Sequence, residues 1–407
     1  MSANAATLDS PDPIDRLERQ RTSGTFKSFL MAGYECSSHR RRDGLRLDLL
    51  AATGHAQWAA KDYECLASLG IGTVRDGLRW HLIERSPGKY DWSSFLPMLH
   101  AARDLDLQVI WDLCHYGVPD DLDIWRPAFV DRFARFSGAV AHVMKEEGVT
   151  SPFYSPINEI SFWSWAGGEV GYFNPNERGR GRELKHQLVR ASIGAIEAVR
   201  DQIHGARFVQ CDPLIHVISA SRRTEASERA EDYRLAQFEA LDVLTGRRWP
   251  GLGGDEKYLD IVGANFYPHN QWYFEGGKIL RGQVAYRPLS GMLKELHERY
   301  QRPILISETG AEDQERVPWL AYAVEQALHA IHLGVPLEGI CWYPFLDYPG
   351  WDDERYCPSG LFGYPDGEGS RAPFHPLHLQ WQALRPLVSD GTVERPACEP
   401  GGPAHGA

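Results

Sequence analysis

An eight-stranded α/β barrel is the fold class that this sequence predicts, on three observations. Eight short apolar or β-branched runs recur along the chain. Stretches with helical spacing of apolar residues separate most of them. Several of these stretches end at a glycine just before the next run, where a helix C-cap belongs. Alternating strands and helices imply a parallel sheet with helices outside it. Eight units imply closure into a single (β/α)8 TIM barrel with extended βα loops. An open doubly wound sheet fits less well. It normally shows a Gly-rich phosphate turn after its first strand, whereas GYECSSHRRRDG stands there.

In chain order the runs are FKSFLMAGYEC, IGTVRDGLRW, LQVIWDLCHY, SPFYSPINEI, ARFVQCDPLIHV, LDIVGANFYPH, RPILISETG and EGICWYPFLDY. The clearest helical stretches are AQWAAKDYECLASLG, SSFLPMLHAARDLD, DRFARFSGAVAHVMKEEG, HQLVRASIGAIEAVRDQIHG and PWLAYAVEQALHAIHLG. Gly70, Gly148, Gly205 and Gly334 are the expected C-cap glycines. Residues 1–23 are polar, hold two prolines and lack apolar periodicity, so a flexible arm is expected. Residues 391–407 include the Pro/Gly-rich ERPACEPGGPAHGA and are expected to form a flexible tail. Between them no linker-like break appears, and 24–390 is expected to be one catalytic barrel.

Composition narrows the function. The chain has 43 Lys+Arg against 55 Asp+Glu, a formal charge of −12. That acidity argues against a nucleic-acid or anionic-membrane partner. No apolar run approaches the roughly 18–20 residues needed to span a bilayer. The N-terminus lacks a basic segment followed by an apolar one, so no secretory signal is expected and the cytoplasm is the expected compartment. The seven cysteines are widely spaced, and Cys114, Cys211 and Cys341 sit in strand-like runs, which suits buried free thiols. The absence of CxxC, HExxH and HxH argues against a metal site, and no metal or organic cofactor is expected.

In such a barrel the working residues sit at the C-terminal strand ends. Polar residues cluster there: Arg75 and Asp76 on strand 2, Asp112, His115 and Tyr116 on strand 3, Asn158 and Glu159 on strand 4. Asn265 and Tyr267 end strand 6, Glu308 ends strand 7, and Trp342, Tyr343 and Asp347 end strand 8. Glu159 and Glu308 are far apart in the chain, yet strands 4 and 7 face each other across a closed barrel's mouth. Opposed carboxylates about 5–5.5 Å apart are what retaining glycoside hydrolysis requires. One attacks the anomeric carbon. The other protonates the leaving oxygen and then deprotonates water. Arg75 is expected to reach Glu308 and keep it ionised.

On these residues the sequence resembles clan A of the retaining glycoside hydrolases, and is most similar to family 1, the β-glucosidase family, over roughly residues 26–390. The resemblance implies Glu159 as acid/base in Asn158-Glu159 and Glu308 as nucleophile in ISETG. The family's YRFSISW corresponds to VRDGLRW and implies Arg75. Its HWDLP corresponds to HYGVP and implies His115 as a sugar ligand, with Tyr116 in place of Trp. Its NYY corresponds to Asn265-Phe266-Tyr267 and implies that Tyr267 touches the nucleophile. Its WSLLDNFEW corresponds to WYPFLDYPGW and implies Trp342 as a stacking floor and Trp351 at the far rim.

Two positions depart from the family. Its strand 1 Gln has no clean match, with Glu35 or Ser37 nearby, and the Glu of its NFEW is Gly350 here. The mechanism therefore carries over better than the identity of the sugar. Arg178, Arg180 and Arg182 in the loop after strand 4 raise the question of an anionic sugar. The acidic strand 8 loop, with Asp352, Asp353 and Glu354, favours a neutral one. A small β-glycoside is the expected partner, hydrolysed with retention. A transglycosidase on the same residues and a catalytically inactive sugar-binding barrel are the alternatives. The sequence leaves the oligomeric state open.

Overall fold

The computed structural model describes residues 24–389 except Arg222. The arm expected over 1–23 and the tail expected over 391–407 lie outside the described residues. Eight strands close into an all-parallel barrel: β1 Leu30–Gly33, β2 Thr73–Gly77, β3 Gln108–Asp112, β4 Phe153–Ser155, β5 Arg207–Pro213, β6 Ile261–Asn265, β7 Ile304–Thr309 and β8 Leu337–Trp342. Seven lie inside one of the eight runs and β8 begins one residue before the last of them, and β1 pairs with both β2 and β8.

A helix follows each strand: α1 His55–Ser68, α2 Leu96–Asp104, α3 Pro127–Glu146, α4 Gly181–Gln202, α5 Thr224–Leu235, α6 Leu289–Tyr300, α7 Arg316–His332 and α8 His375–Ser389. Helix α3 begins with Pro at its first position, which suits the fixed proline φ. It buries Phe129, Phe133, Phe136, Val140 and Met144, one face at helical spacing. No helix among the described residues is long and apolar enough to cross a membrane.

Helix α1 stops at Gly70, which adopts φ +69°. Its N–H donates to the Ala67 carbonyl, and Ile71 N–H donates to that of Leu66, so the last turn is satisfied and the chain turns toward β2. Gly148 and Gly334 repeat this arrangement after α3 and α7. Gly205 does not. Helix α4 already ends at Gln202, and Ile203 is extended. Gly205 serves a close approach instead, since a Cβ there would lie 2.8 Å from the Thr150 carbonyl oxygen.

The barrel interior holds Met31, Ile110, Phe153, Val209, Ile261 and Leu305, with Phe26 packed beneath against Phe153 at 5.0 Å between ring centroids. A larger apolar layer fills the space between strands and helices. Cys36, Cys114, Cys211, Cys341 and Cys357 are buried free thiols, and Cys65 is a half-buried one.

One buried charged cluster ties distant parts together. His55, at the start of α1, lies 2.6 Å from Asp62 and 2.8 Å from Asp76. Arg371, from the loop before α8, binds Asp62, and the Tyr34 ring stacks on the imidazole at 3.7 Å. Burial opposes a charge on His55, but the two carboxylates outweigh it and hold its pKa up at about 9.

Candidate active site

The site grows from Arg75, in the middle of β2 and fully buried. A buried guanidinium needs partners for its whole fork. Nε and Nη2 donate to the two oxygens of Asp112 at 2.9 and 2.8 Å. Nη2 also donates to Asn158 Oδ1 at 2.6 Å, and Nη1 to Glu308 Oε1 at 2.6 Å. Asp112, the last residue of β3, is thereby held below the usual carboxylate range against the opposing effect of burial. It also anchors His115 Nδ1 at 2.9 Å. Burial disfavours the His115 imidazolium, but Asp112, Glu35 and Glu308 outweigh that and raise its pKa.

Asn158 and Glu159 lie just beyond β4. The Asn158 N–H donates to the Cys114 carbonyl, and the Glu159 N–H to that of Cys211. Glu159 is left-handed, at φ 48°, a conformation that non-glycine residues adopt where the surroundings impose it, often at functional sites. Its Oε2 accepts from the Tyr116 hydroxyl, and its Oε1 from Asn265 Nδ2 at 2.9 Å. Asn265 is itself fixed by Ser307 Oγ at 2.6 Å. Burial raises the Glu159 pKa, Tyr116 and Asn265 pull it back, and Asp212 pushes it further up. Asp212, near the end of β5, accepts from the Ser161 hydroxyl at 2.6 Å and backbone N–H at 2.9 Å, and burial pushes its pKa up to about 7.

Glu308, on β7 with its backbone paired to Asn265, is buried. Tyr267 donates to its Oε2 at 2.8 Å, so both carboxylate oxygens are held. Burial is the larger influence and leaves its pKa raised. Arg75 pulls it down, and the charge of Glu159 pushes it up. Arg75 does reach Glu308, but it is shared with Asp112 and Asn158 and does not cancel the burial.

Arg75, His115, Asn158, Glu159, Asn265, Tyr267 and Glu308 thus form one hydrogen-bonded network. Asn158 closes it, donating to His115 Nε2 at 3.0 Å and to the Tyr116 hydroxyl at 2.9 Å. Glu35 lies close enough to feel both His115 and Glu308. Its Oε1 accepts from Ser37, and burial raises its pKa. Trp351 stands at the rim, its ring 4.5 Å from His39 and 5.8 Å from Tyr116. Trp342 is placed differently from the expected stacking floor. It is fully buried in the apolar layer, its indole N–H bound to the Ser359 carbonyl at 3.1 Å, with no open face. Tyr343 lies in the site instead, its ring parallel to His115 at 6.1 Å and under Arg75 at 5.5 Å.

Asp112, Asp212 and Cys36 lie in or beside this network, and motif matching passes over them. Asp112 and Tyr116 were visible as strand-end polar residues, whereas Asp212 and Cys36 carry no local signal. Cys36 Sγ, Asp112 Oδ2 and His115 Nδ1 lie 2.9–3.7 Å apart, a spacing that suits metal ligands. The Arg75 guanidinium 2.8 Å from the same Asp112 oxygen opposes a cation, so the trio is better suited to supporting His115.

Searches among known structures find the same architecture. The family 1 β-glucosidase from Thermotoga maritima superposes with a TM-score of 0.71 at 16% identity, over 88% of this chain and 97% of that one. The fold is shared with that enzyme. The β-glucosidase from Thermotoga maritima in complex with deoxynojirimycin gives 0.72 at 17% identity, and the isofagomine lactam complex 0.71 at 18%, both with the same coverage. No protein-family model matches the sequence, and no curated protein matches it.

Proposed function

We propose that this barrel hydrolyses a β-glycosidic bond with retention, through a covalent glycosyl-enzyme. The observation that carries the reading is the pair of buried carboxylates, Glu159 and Glu308, joined through Arg75, Asn158 and Tyr116. The solved complexes of the Thermotoga maritima β-glucosidase with deoxynojirimycin and isofagomine lactam support a sugar-sized ligand in this fold.

The two carboxylates differ in their partners, and that difference assigns their roles. Glu308 has a guanidinium and a phenol, both donors to a carboxylate, and is the nucleophile. Glu159 accepts from neutral donors and has an acidic neighbour, Asp212, whose charge raises its pKa, and it is the general acid. In the first step Glu308 attacks the anomeric carbon while the Glu159 proton passes to the departing oxygen. Esterification removes the negative charge of Glu308. Glu159, whose proton was retained partly by that charge, becomes the base that deprotonates water. Water then breaks the ester and frees Glu308. Tyr267 and Arg75 keep the nucleophile's oxygens aimed. Asn158 and His115 hold sugar hydroxyls, Asn158 at the 2-position, where contacts strengthen in the transition state.

A panel of nitrophenyl β-glycosides with gluco, galacto, manno, xylo, fuco and 6-phospho glycones tests the reading. Hydrolysis of at least one, with the β-anomer as first product, is expected. No turnover across the panel, or an α first product, overturns it. Added alcohol or sugar acceptor separates hydrolysis from transfer.

A further inference from the structure

We propose that the cavity beside the general acid receives a flat, anionic leaving group of the aryl carboxylate class. The inference rests on the glycosidase reading and adds the chemistry of the departing half of the substrate.

The cavity encloses about 620 Å³ and is walled by His39, Arg41, Arg42, Trp165, Tyr172 and Arg178. Two links tie it to Glu159. Trp165 belongs to the turn Ser164–Glu169, which follows directly on the short helix Ile160–Trp163 that Glu159 begins. Phe173, on the cavity wall, lies 5.3 Å from the Tyr116 ring, and the Tyr116 hydroxyl holds the Glu159 carboxylate. A leaving oxygen that takes its proton from Glu159 points its substituent toward this wall.

The lining selects for shape and sign. Trp165 and Tyr172 are 44% and 40% exposed, large aromatic faces left open at the mouth. Among the cations, Arg41 is paired with Asp43 at 2.6 Å. Asp43 and Asp352 also line the cavity, Asp352 accepting from the Tyr172 hydroxyl at 2.6 Å, so three guanidinium groups face two carboxylates there. Arg42 and Arg178 have no acidic partner among the described residues. His39 adds no charge, because burial and the nearby cations lower its pKa to about 3. In a chain of net charge −12, two unpaired guanidinium groups thus share one cavity with open aromatic rings.

The other arginines of that loop are committed elsewhere. Arg180 is held by Glu183 at 2.7 Å and lies over Trp125, and Arg182 lies over Trp249. Further in, Glu35, Glu159 and Glu308 are gathered together, and the Arg75 guanidinium there is committed to Glu308, Asp112 and Asn158. The negative charge of a substrate therefore belongs on the leaving half.

Two glycosides with the same glycone decide this: the 4-nitrophenyl and the 3-carboxy-4-nitrophenyl glycoside, with rates corrected for leaving-group acidity. The carboxylated substrate is expected to have kcat/KM about tenfold higher, an advantage that shrinks with added salt. In the Arg42→Gln/Arg178→Gln double variant the ratio of the two rates is expected to fall toward one, and any general loss cancels in that ratio. A ratio of one or less in the native protein, or an unchanged ratio in the variant, overturns the proposal. Binding of 4-hydroxybenzoate against neutral 4-hydroxybenzyl alcohol, followed by tryptophan fluorescence, gives a second measure independent of turnover. Preference for the carboxylate that is lost in the double variant supports the cavity even if no glycoside is cleaved, a result that would sink only the hydrolytic reading. No preference overturns the cavity proposal.

Discussion

Arg75 donates to Glu308 at 2.6 Å through one nitrogen and grips Asp112 and Asn158 through the other two. One side chain thus positions the carboxylate proposed as nucleophile, the Asn158 amide and the carboxylate behind His115. Lysine keeps the charge but not the fork. Arg75→Lys is expected to lower kcat/KM about a hundredfold and to destabilise the fold by about 3 kcal/mol, since Asp112 loses its bidentate partner in a buried setting. Steady-state kinetics and denaturant unfolding check both. A variant that keeps full activity would refute the positioning role.

The two glutamates should fail in different ways. Glu308→Gly is expected to lose nearly all hydrolysis, with azide restoring turnover as the α-glycosyl azide. Glu159→Ala should lose far less with an activated aryl leaving group, and azide there should give the β-glycosyl azide. Product stereochemistry by NMR checks the assignment. Identical behaviour of the two variants would reverse or void it.

Asp212 gives a pH prediction. As an anion it raises the pKa of Glu159, which the proposed mechanism needs protonated in its first step. Removing that charge lowers the Glu159 pKa, so Asp212→Asn is expected to move the alkaline limb of kcat/KM to lower pH. An alkaline limb that stays in place, or moves up, would show that Asp212 does not tune the acid.

His55 predicts a stability profile. Its pKa of about 9 in the folded protein lies above the ordinary 6.5, so the folded state holds the proton more tightly. The resulting stabilisation, about 3 kcal/mol, is fully present below pH 6.5 and is lost as the pH rises through about 9. Thermal unfolding between pH 6 and 10 should show that loss in the native protein and a flatter profile in His55→Gln. A native protein with equal stability at both ends would contradict it.

Much of this was legible in the sequence. All eight barrel strands coincide, to within one residue, with runs recognisable by their apolar and β-branched content, because a strand buried on both faces is mostly apolar. The strand-end positions of Arg75, His115, Asn158, Glu159, Asn265, Tyr267 and Glu308 followed from the barrel rule. Other features depended on distant contacts. The motif points to Trp342 as a stacking floor, yet its indole turns into the apolar layer toward Ser359. Asp212 acts on Glu159 only because β4 and β5 are neighbours and Ser161 bridges the loop. Gly205 carries the residue type of a cap but serves a close packing contact, and composition does not distinguish the two. The balance of burial against Arg75 at Glu308 likewise exists only once the groups share one enclosed space.

The short helix and turn that run from Glu159 to Glu169 serve two masters: one end presents the proposed proton donor, the other supplies Trp165 to the proposed doorway. Reshaping that doorway to admit bulkier or oppositely charged departing groups will tend to tilt the donor as well. Breadth of acceptance and speed of turnover are then coupled through a single stretch of backbone. Changes confined to Arg42, which lines the cavity from outside that stretch, offer the route by which selectivity can drift while the chemistry stays intact.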